Sequence, residues 1–342
     1  MKYRFSPFLA GDTGALLVLF NKAITGRREA AAIHPGEFSQ RVLEHPGFEP
    51  EGLLLARESS GKVVGFIHAV LPPVHIPLYA KLAGRGYLFG PWVDPAYRDR
   101  GIGRGLLKAA EGWMAQRCET ILVHGLRAPF YHTREGPRQP YFGSTEILGL
   151  TGNDTDLLEF YAAAGYGPVE EQELSMTASL QNTEPQPATL TGLNVVRVST
   201  QQPWKGRVVW IPGGGVGYGY ESYFPMAAYD TLAVAQGDTI VGHCQWYSMR
   251  RPGRAALFDL RLEESLRGRG IGRWLFEAGL AAMYQAGFRE VELHTSPQRN
   301  AAAYRMYRQA GFKTAVSWVI LKKTYKFVML FCRKTRVTHP ML

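Results

Sequence analysis

Two segments of the chain combine arginines and glycines in nearly the same order, RDRGIGRGLL at 98–107 and RGRGIGRWLF at 267–276. Each lies between a strand-like run and an apolar run at helical spacing. Glycines in such a turn let the backbone approach a ligand closely, and the unpaired N–H groups of the next helix point at that ligand. Because the helix dipole and the arginines both favour an anion, the pattern predicts two phosphate-binding turns.

Two better-known phosphate loops are excluded by the same residues. A P-loop requires lysine and then serine or threonine after its last glycine, and neither segment has them. The dinucleotide fingerprint GxGxxG requires a third glycine where this chain has Leu106 and Leu275, which disfavours nicotinamide binding. A single glycine-rich turn is more often a plain strand-to-helix connection, but two copies with arginines in register favour ligand binding.

The elements around the two turns repeat as well. Strands and helices follow in the same order in both copies. Matching residues of the two copies are 169 positions apart at the glycine turns but only 146 apart at the last helix, so the first copy has an insertion of 23 residues after His124. This order predicts an α/β fold of two tandem domains, each with a mixed, mainly antiparallel sheet flanked by helices. The predicted boundaries are 1–180 for the first domain, 181–192 for the linker and 193–342 for the second.

Composition limits the setting of the protein. The 342 residues carry a formal net charge of +10 and three widely spaced cysteines without a CxxC pair, which favours a reduced, cytoplasmic setting. No apolar run is long enough to span a bilayer and no secretory signal is present, so we expect no membrane association. The positive charge is compatible with a phosphorylated cofactor, nucleic acid or a membrane surface. His243 and Cys244 are neighbours on one strand and point to opposite faces, which makes a poor metal site.

The pattern Arg-x-x-Gly-x-Gly between a strand and a helix resembles the acetyl-coenzyme A (acetyl-CoA) loop of the GNAT acyltransferase superfamily. The second copy also matches that family's later helix motif with Asn300, Ala303, Tyr307 and Gly311-Phe312. The first copy keeps Tyr161 and Gly165-Tyr166 but has Asp154 in the place of the asparagine. The resemblance implies two tandem GNAT-like domains, an organisation similar to that of other tandem enzymes of the superfamily.

The resemblance also implies a reaction and its residues. The family transfers an acetyl group directly from acetyl-CoA to a primary amine, here of a small, unidentified acceptor, with both substrates bound together and no metal. Tyr161 and Tyr307 match the tyrosine that protonates the leaving thiolate, and backbone N–H groups near Val93 and Leu262 match the donors to the carbonyl oxygen. The residues implied in acetyl-CoA binding are Val93, Arg98, Asp99, Arg100, Gly101, Ile102, Gly103, Arg104, Gly105, Leu262, Arg267, Gly268, Arg269, Gly270, Ile271, Gly272, Arg273 and Asn300.

The general base stays open from the sequence. Glu263 and His294 are the predicted candidates in the second copy, with Glu264 beside the first of them, and Asp94 and His124 hold the matching places in the first copy. The alternative interpretation is that the acids are solvated strand ends and the histidines structural groups.

Acceptor recognition is predicted between the first two strands of each copy, where the copies differ. The first copy has two helices' worth of sequence there, 12–24 and 34–45, and the second has a glycine- and tyrosine-rich segment, 210–224. The insertion is a further lid candidate. Whether one domain keeps the chemistry while the other supports it, or both are active, stays open from the sequence. The second copy is the more complete in motif, the first has the fuller acceptor region, and both loops are predicted to bind CoA.

Two functions from other classes remain open. The chain could be a non-catalytic acetyl-CoA or CoA sensor, or a basic nucleic-acid-binding protein. Nucleic acid is disfavoured because the arginines cluster at two loops and no nucleic-acid motif occurs. The tail from Lys322 to Leu342 alternates basic and apolar blocks, which predicts either an extension of the last strand or docking across the domain pair. The sequence leaves the oligomeric state undetermined.

Overall fold

The computed structural model describes residues 3–25, 32–124 apart from 76, 149–199 apart from 186, 187 and 189, then 205, 207–208, and 230–325 apart from 250. Three predictions therefore lie outside the described residues: the acceptor segment at 210–224, the insertion between 125 and 148, and the tail from 326 onward with Cys332.

The first sheet surrounds the first glycine turn. Among the described residues its order is β1-β2-β3-β4-β5-β16-β7, and every neighbouring pair is antiparallel except β4 and β5. Its strands are β1 (Tyr3–Pro7), β2 (Leu53–Glu58), β3 (Val63–Val70), β4 (Arg85–Val93), β5 (Thr120–Val123), β7 (Gly167–Pro168) and β16 (Leu321–Thr324).

The second sheet repeats this arrangement around the second turn. Its order in the described part of the chain is β9-β11-β12-β13-β14-β8-β15-β6, with β10 beside β12, and β13 and β14 form the parallel pair that matches β4 and β5. Its strands are β6 (Leu150–Thr151), β8 (Glu173–Ser179), β9 (Asn194–Val198), β10 (Arg207–Val208), β11 (Asp230–Gln236), β12 (Thr239–Ser248), β13 (Arg254–Leu262), β14 (Glu290–Thr295) and β15 (Lys313–Val319).

Six α-helices lie in the described residues: α1 (Thr13–Ile24), α2 (Pro35–Phe38), α3 (Ile102–Met114), α4 (Thr155–Ala163), α5 (Ile271–Gln285) and α6 (Ala301–Gln309). The helices α3 and α5 follow the two glycine turns. Each buries a stripe of apolar side chains three or four residues apart, which is the spacing that predicts them from the sequence. The mixed α/β architecture with two sheets and flanking helices confirms the predicted fold class.

The two sheets exchange one strand each. β8 follows the last helix of the first copy but lies in the second sheet, between β14 and β15. β16 follows the last helix of the second copy but lies in the first sheet, between β5 and β7. Docking across the domain pair is thereby confirmed for the described start of the tail. The boundaries at 180 and 193 remain a prediction about the repeats in the sequence, because the sheets cross them in both directions.

The faces of the two sheets differ in chemistry. In the first sheet, one face is covered by an apolar cluster that includes α1 and α2, and the other by an apolar cluster that includes α3. In the second sheet, α5 and α6 cover one face with a similar apolar cluster. The opposite face, here called the acceptor face, carries the buried polar side chains Thr231, His243, Gln245, Glu173, Ser175 and Glu292, as the alternation along the paired strands requires.

Candidate functional site

In each sheet, the parallel strands pair over only part of the longer strand among the described residues. Pairing between β4 and β5 ends at Leu88 and Val123, although β4 continues to Val93. Pairing between β13 and β14 ends at Leu257 and Leu293, and β13 likewise continues to Leu262. Over its last residues, the edge that each long strand turns toward its parallel partner has no partner strand among the described residues, and this gap is here called the cleft. Such an edge can pair with an extended ligand that carries amides.

The glycine turns lie at the top of these clefts. Gly101 and Gly270 immediately precede α3 and α5, and both have φ of 77°, a left-handed conformation that costs glycine nothing. Two residues earlier, Gly268 adopts the same region in the second copy, whereas Asp99 occupies it in the first with φ of 59°. Gly101 and Gly270 are both exposed, so the first N–H groups of each helix begin at the surface, where the anion sites are predicted.

Gly103 and Gly272, in the first turn of each helix, leave room for a ligand. A Cβ atom added to Gly103 would lie 3.4 Å from the nearest atom of Phe160, and one added to Gly272 would lie 3.8 Å from the nearest atom of Leu262. Gly105 differs, because a methyl group there would overlap the ring of Phe5. The packing of α3 on β1 is therefore a sufficient reason for that glycine, whether or not it touches acetyl-CoA.

Some arginines of the two turns donate hydrogen bonds within the protein, and others are only exposed. Arg98 Nε donates to the carbonyl of Val93 at 3.4 Å, and Arg267 Nε donates to the carbonyl of Leu262 at the same distance. These two side chains tie each turn to the strand before it. Arg100 donates to the carbonyl of Ala96, and the exposed Arg273 donates to Oε1 of Gln309. Arg104 and Arg269 are exposed as well.

The remaining predicted cofactor residues occupy two kinds of place. Ile102 and Ile271 are buried and anchor their helices to the core. Asn300 is exposed, directly before α6, and its backbone carbonyl accepts a hydrogen bond from Tyr304.

The two predicted tyrosines lie in different environments. Tyr161 on α4 is fully buried, and its hydroxyl donates to the carbonyl of Gly90 at 2.5 Å. Tyr307 on α6 keeps 7% of its surface exposed, and its hydroxyl has no hydrogen-bond partner among the described residues. Burial raises the pKa of both phenols, with Glu111 adding to the effect for Tyr161. Only Tyr307 has a hydroxyl left to serve a substrate.

Matched positions beside the two clefts have opposite chemistry. In the first sheet Phe66 pairs with Trp92, and their rings lie 4.8 Å apart. The corresponding pair in the second sheet is His243 with Arg261. The offset of 169 that relates Trp92 to Arg261 also relates Gly90 to Asp259.

Asp259 is the centre of a polar cluster on the acceptor face. Its Oδ2 lies 3.0 Å from His243 Nε2 and 2.9 Å from Arg261 Nε. The charge of Asp259 also contributes to the raised pKa of Tyr307, after burial and Cys244. This cluster was not predicted from the sequence, although an aspartate inside the apolar strand AALFDLRL was a visible signal.

The predicted bases are not brought together. Pairing between β13 and β14 ends at Leu293, and His294 is the next residue of β14. Glu263, in contrast, directly follows the end of β13 at Leu262. At about 3.3 Å per residue, the two lie roughly 15 Å apart along the strands. His294 stands near the level of Asp259. Glu263 and the neighbouring exposed Glu264 lie beside the glycine turn.

The corresponding groups of the first copy are already engaged. Asp94 forms an ion pair with Lys22 at 3.0 Å and accepts a hydrogen bond from Ala96, and the bond to Lys22 holds the pKa of Asp94 below its usual value. His124 is buried beside the rings of Phe89 and Trp92, whose centroids lie 5.1 and 6.3 Å away. These residues consolidate the first domain.

The described part of the chain contains no group of three potential metal ligands. His243 and Cys244 lie on opposite faces, since Cys244 packs against α5 at Gly279. Within the same described ranges, no helix is both long and apolar enough to cross a membrane.

Comparison with known proteins identifies the family. The model of the acetyltransferase (GNAT) family matches residues 26–133 and 211–312, together more than half of the chain. A mycothiol acetyltransferase of Clavibacter michiganensis subsp. michiganensis is 27% identical over 228 residues, which cover 65% of this chain and 68% of that protein. The mycothiol acetyltransferase of Beutenbergia cavernae is 23% identical over 294 residues, or 79% and 83% of the two chains.

Solved structures support the same fold. A tandem GNAT protein from the clavulanic acid biosynthesis pathway superposes with a TM-score of 0.62 at 18% identity and covers 94% of this chain and 98% of its own. A GCN5-related glucosamine N-acetyltransferase region of a fungal β-N-acetylglucosaminidase gives 0.63 at 14% identity, with 94% of this chain and 38% of that one covered. The predicted tandem organisation, similar to mycothiol synthase, is confirmed.

Proposed function

The chain belongs to the acetyltransferase (GNAT) family of N-acetyltransferase enzymes, and on that premise we propose that its second domain transfers an acetyl group from acetyl-CoA to a primary amine of a small molecule, while the first domain supports it. The observation that carries this proposal is the contrast between the tyrosines. Tyr161 already donates its proton to the carbonyl of Gly90, whereas Tyr307 has no such partner among the described residues.

Tyr307 is proposed to protonate the leaving thiolate. Burial, Cys244 and Asp259 raise the pKa of its phenol, so the hydroxyl keeps its proton at neutral pH and can only donate it. In the transfer, the amine nitrogen forms a bond to the thioester carbonyl carbon and the carbon–sulfur bond breaks. The sulfur then takes the phenol proton, which solvent restores.

The amine must lose protons before and during this attack. Of the two predicted bases, we assign the role to His294, because it lies near the level of the polar cluster around Asp259, whereas Glu263 lies by the glycine turn. The backbone N–H groups near Leu262, on the open edge of β13, are the proposed donors to the acyl carbonyl oxygen. The pyrophosphate of acetyl-CoA is assigned to the turn from Arg267 to Arg273, where the N–H groups at the start of α5 and the exposed guanidinium groups fit an anion.

The polar acceptor face supports a small, polar amine as the second substrate. His243, Asp259 and Arg261 present charged and hydrogen-bonding groups beside the cleft, where the first sheet presents Phe66 and Trp92. The names of the relatives point in the same direction, because mycothiol and glucosamine are small molecules rather than proteins.

The experiment is an acetyl-transfer assay on three variants. Purified protein is mixed with acetyl-CoA and a panel of amines that includes glucosamine, other amino sugars and amino-acid amides, and thiol release is followed together with the mass of the acetylated product. Gly272→Glu places a carboxylate in the second turn, where the structure has space for it, and is expected to abolish transfer. Gly103→Glu does the same in the first turn and is expected to leave transfer intact.

Gly112→Glu is the matched control, since it adds the same charge to the exposed side of α3, where no heavy atom lies within 4 Å of a new side chain. Loss of transfer in Gly103→Glu but not in Gly272→Glu would assign the chemistry to the first domain. Acetyl-CoA binding without transfer to any amine would favour the sensor.

A further inference from the structure

The strand exchange brings a buried carboxylate from the first half of the chain to His294. Ser175 of β8 lies opposite His294 of β14, and Glu173, two residues before Ser175 at the start of β8, lies on the same face. Glu173 Oε2 lies 4.0 Å from His294 Nε2. The side chain of Glu173 is 2% exposed and that of His294 18%, so the acid lies behind the imidazole.

One oxygen of this carboxylate is held and the other is not. Arg299, in the turn between β14 and α6, forms an ion pair with Glu173 Oε1. Oε2 is buried and has no hydrogen-bond partner among the described residues. A buried carboxylate oxygen without a donor is costly, and such groups in native proteins call for an explanation.

We propose that Glu173 is a positioning residue for the proposed base His294, so that the second active site is assembled from both halves of the chain. The proposal rests on the assignment of acetyl transfer to the second domain. The separation of 4.0 Å is longer than a hydrogen bond, and catalytic hydrogen bonds often tighten to bonding distance only when substrate is bound.

The proposed bond between Glu173 and His294 would fix the tautomer of the imidazole. A carboxylate at Nε2 only accepts, so Nε2 carries the proton and Nδ1 carries the lone pair that takes a proton from the amine. When the imidazole becomes cationic, the negative charge of Glu173 stabilises it. Arg299 prevents Glu173 from turning away, because its guanidinium holds Oε1.

Other charged groups near His294 are already paired. On β14, Glu292 lies 3.5 Å from Arg254, which also pairs with Glu290 at 2.7 Å. On β13, Asp259 is shared by His243 and Arg261. Among the described residues of the first sheet, β16 begins only at Leu321, opposite Val123, and so offers no residue at the place of Glu173. His124 packs there against aromatic rings.

The test is Glu173→Gln against Glu171→Gln. Both acids pair with Arg299, but the side chain of Glu171 is 50% exposed and that of Glu173 is buried. Because Arg299 is only a donor, it holds the carbonyl oxygen of the new glutamine and leaves the amide NH₂ facing His294. The NH₂ donates to Nε2, so the proton moves to Nδ1 and the lone pair is lost from the reacting side.

Two measurements follow this change. Long-range ¹H–¹⁵N spectra of histidine-labelled protein report the tautomer without substrate, with the His294 signals identified by their absence in His294→Asn. We expect the Nε2–H form in the wild type and in Glu171→Gln, and the Nδ1–H form in Glu173→Gln. Transfer kinetics should show kcat lower by about 10²- to 10⁴-fold in Glu173→Gln, with KM for the amine little changed, and less than about 3-fold loss in Glu171→Gln.

Two further variants test the same pairing of Glu173 with His294. Glu173→Asp retains an acceptor and should recover the wild-type tautomer and much of kcat. If Glu173→Gln does not fold, Arg299→Ala, at a side chain 42% exposed, releases Oε1 and should give mixed tautomers and about 10-fold lower kcat. An unchanged tautomer, or equal kinetics for the two glutamine variants, overturns the proposal. A switched tautomer in a protein that acetylates no amine would reject the proposed function while retaining the pairing of Glu173 with His294.

Discussion

Replacing the two tyrosines by phenylalanine should separate catalysis from stability. Tyr307→Phe removes a hydroxyl that has no hydrogen-bond partner among the described residues, so the free energy of unfolding should change by less than about 0.5 kcal/mol. The same change removes the proposed proton donor to the thiolate. Loss of a general acid lowers kcat by about 10²- to 10⁴-fold, equivalent to roughly 2.7–5.4 kcal/mol in the barrier.

Tyr161→Phe should give the opposite result. It removes a buried hydrogen bond of 2.5 Å and leaves the carbonyl of Gly90 without that donor. An unsatisfied buried acceptor costs about 1–3 kcal/mol, and for a domain of this size each kcal/mol lowers the melting temperature by about 2–4 °C. The melting temperature should therefore fall by about 2–12 °C, while kcat at 25 °C stays within about 2-fold of the wild type.

The assay combines steady-state transfer, calorimetric binding of acetyl-CoA and thermal unfolding on both variants. Acetyl-CoA should bind each variant with the wild-type affinity, because neither hydroxyl is assigned to cofactor binding. Loss of transfer without loss of stability in Tyr161→Phe would refute the assignment of the two tyrosines. An unchanged rate in Tyr307→Phe would refute it as well. Equal losses in both variants would mean that both clefts carry out the reaction.

Three further predictions concern the fold. Gly105→Ala should lower the melting temperature by several degrees, because the methyl group overlaps the ring that packs on α3, whereas Gly112→Ala in the same helix should raise stability by about 0.5–1 kcal/mol. Burial lowers the pKa of His68 to about 3. As the pH falls, the unfolded chain therefore binds a proton at this histidine before the folded chain does. The free energy of unfolding should fall by up to about 1.4 kcal/mol per pH unit between about pH 6.5 and pH 3. His68→Gln, which copies Gln245 at the matching place, should flatten this dependence in denaturant titrations at several pH values. Chains cut within 181–192 should fail to fold separately, by circular dichroism, but associate when expressed together.

Much of the cofactor cleft follows from local sequence. Gly101 and Gly270 could be predicted as turn residues because only glycine takes a left-handed conformation freely, and both precede a helix as expected. The spacing from those turns to Tyr161 and Tyr307 could also be counted. These features depend on neighbours within one copy, so a repeat in the sequence is enough to locate them.

The strand exchange could not be predicted in the same way. The segments that form β8 and β16 both look like the last strand of their own copy, and both sheets offer the same antiparallel edge to either strand. Side-chain periodicity fixes which residues of a strand face the core, but not which of two similar sheets receives it. Glu173 was therefore missed as a site residue, since it approaches His294 only through the exchange.

On the proposed assignment, a first domain without chemistry is still needed by the second active site. β8 is the only described strand between β14 and β15, and it pairs with both. Without it, β14 would lose the antiparallel ladder that holds His294 in place, and α6, which carries Tyr307, would be attached to a broken sheet. A shortened chain could therefore not keep the second site by keeping its own repeat alone. The two cofactor turns can diverge in function, as the occupied hydroxyl of Tyr161 indicates, while the exchanged strands keep both domains in one folding unit.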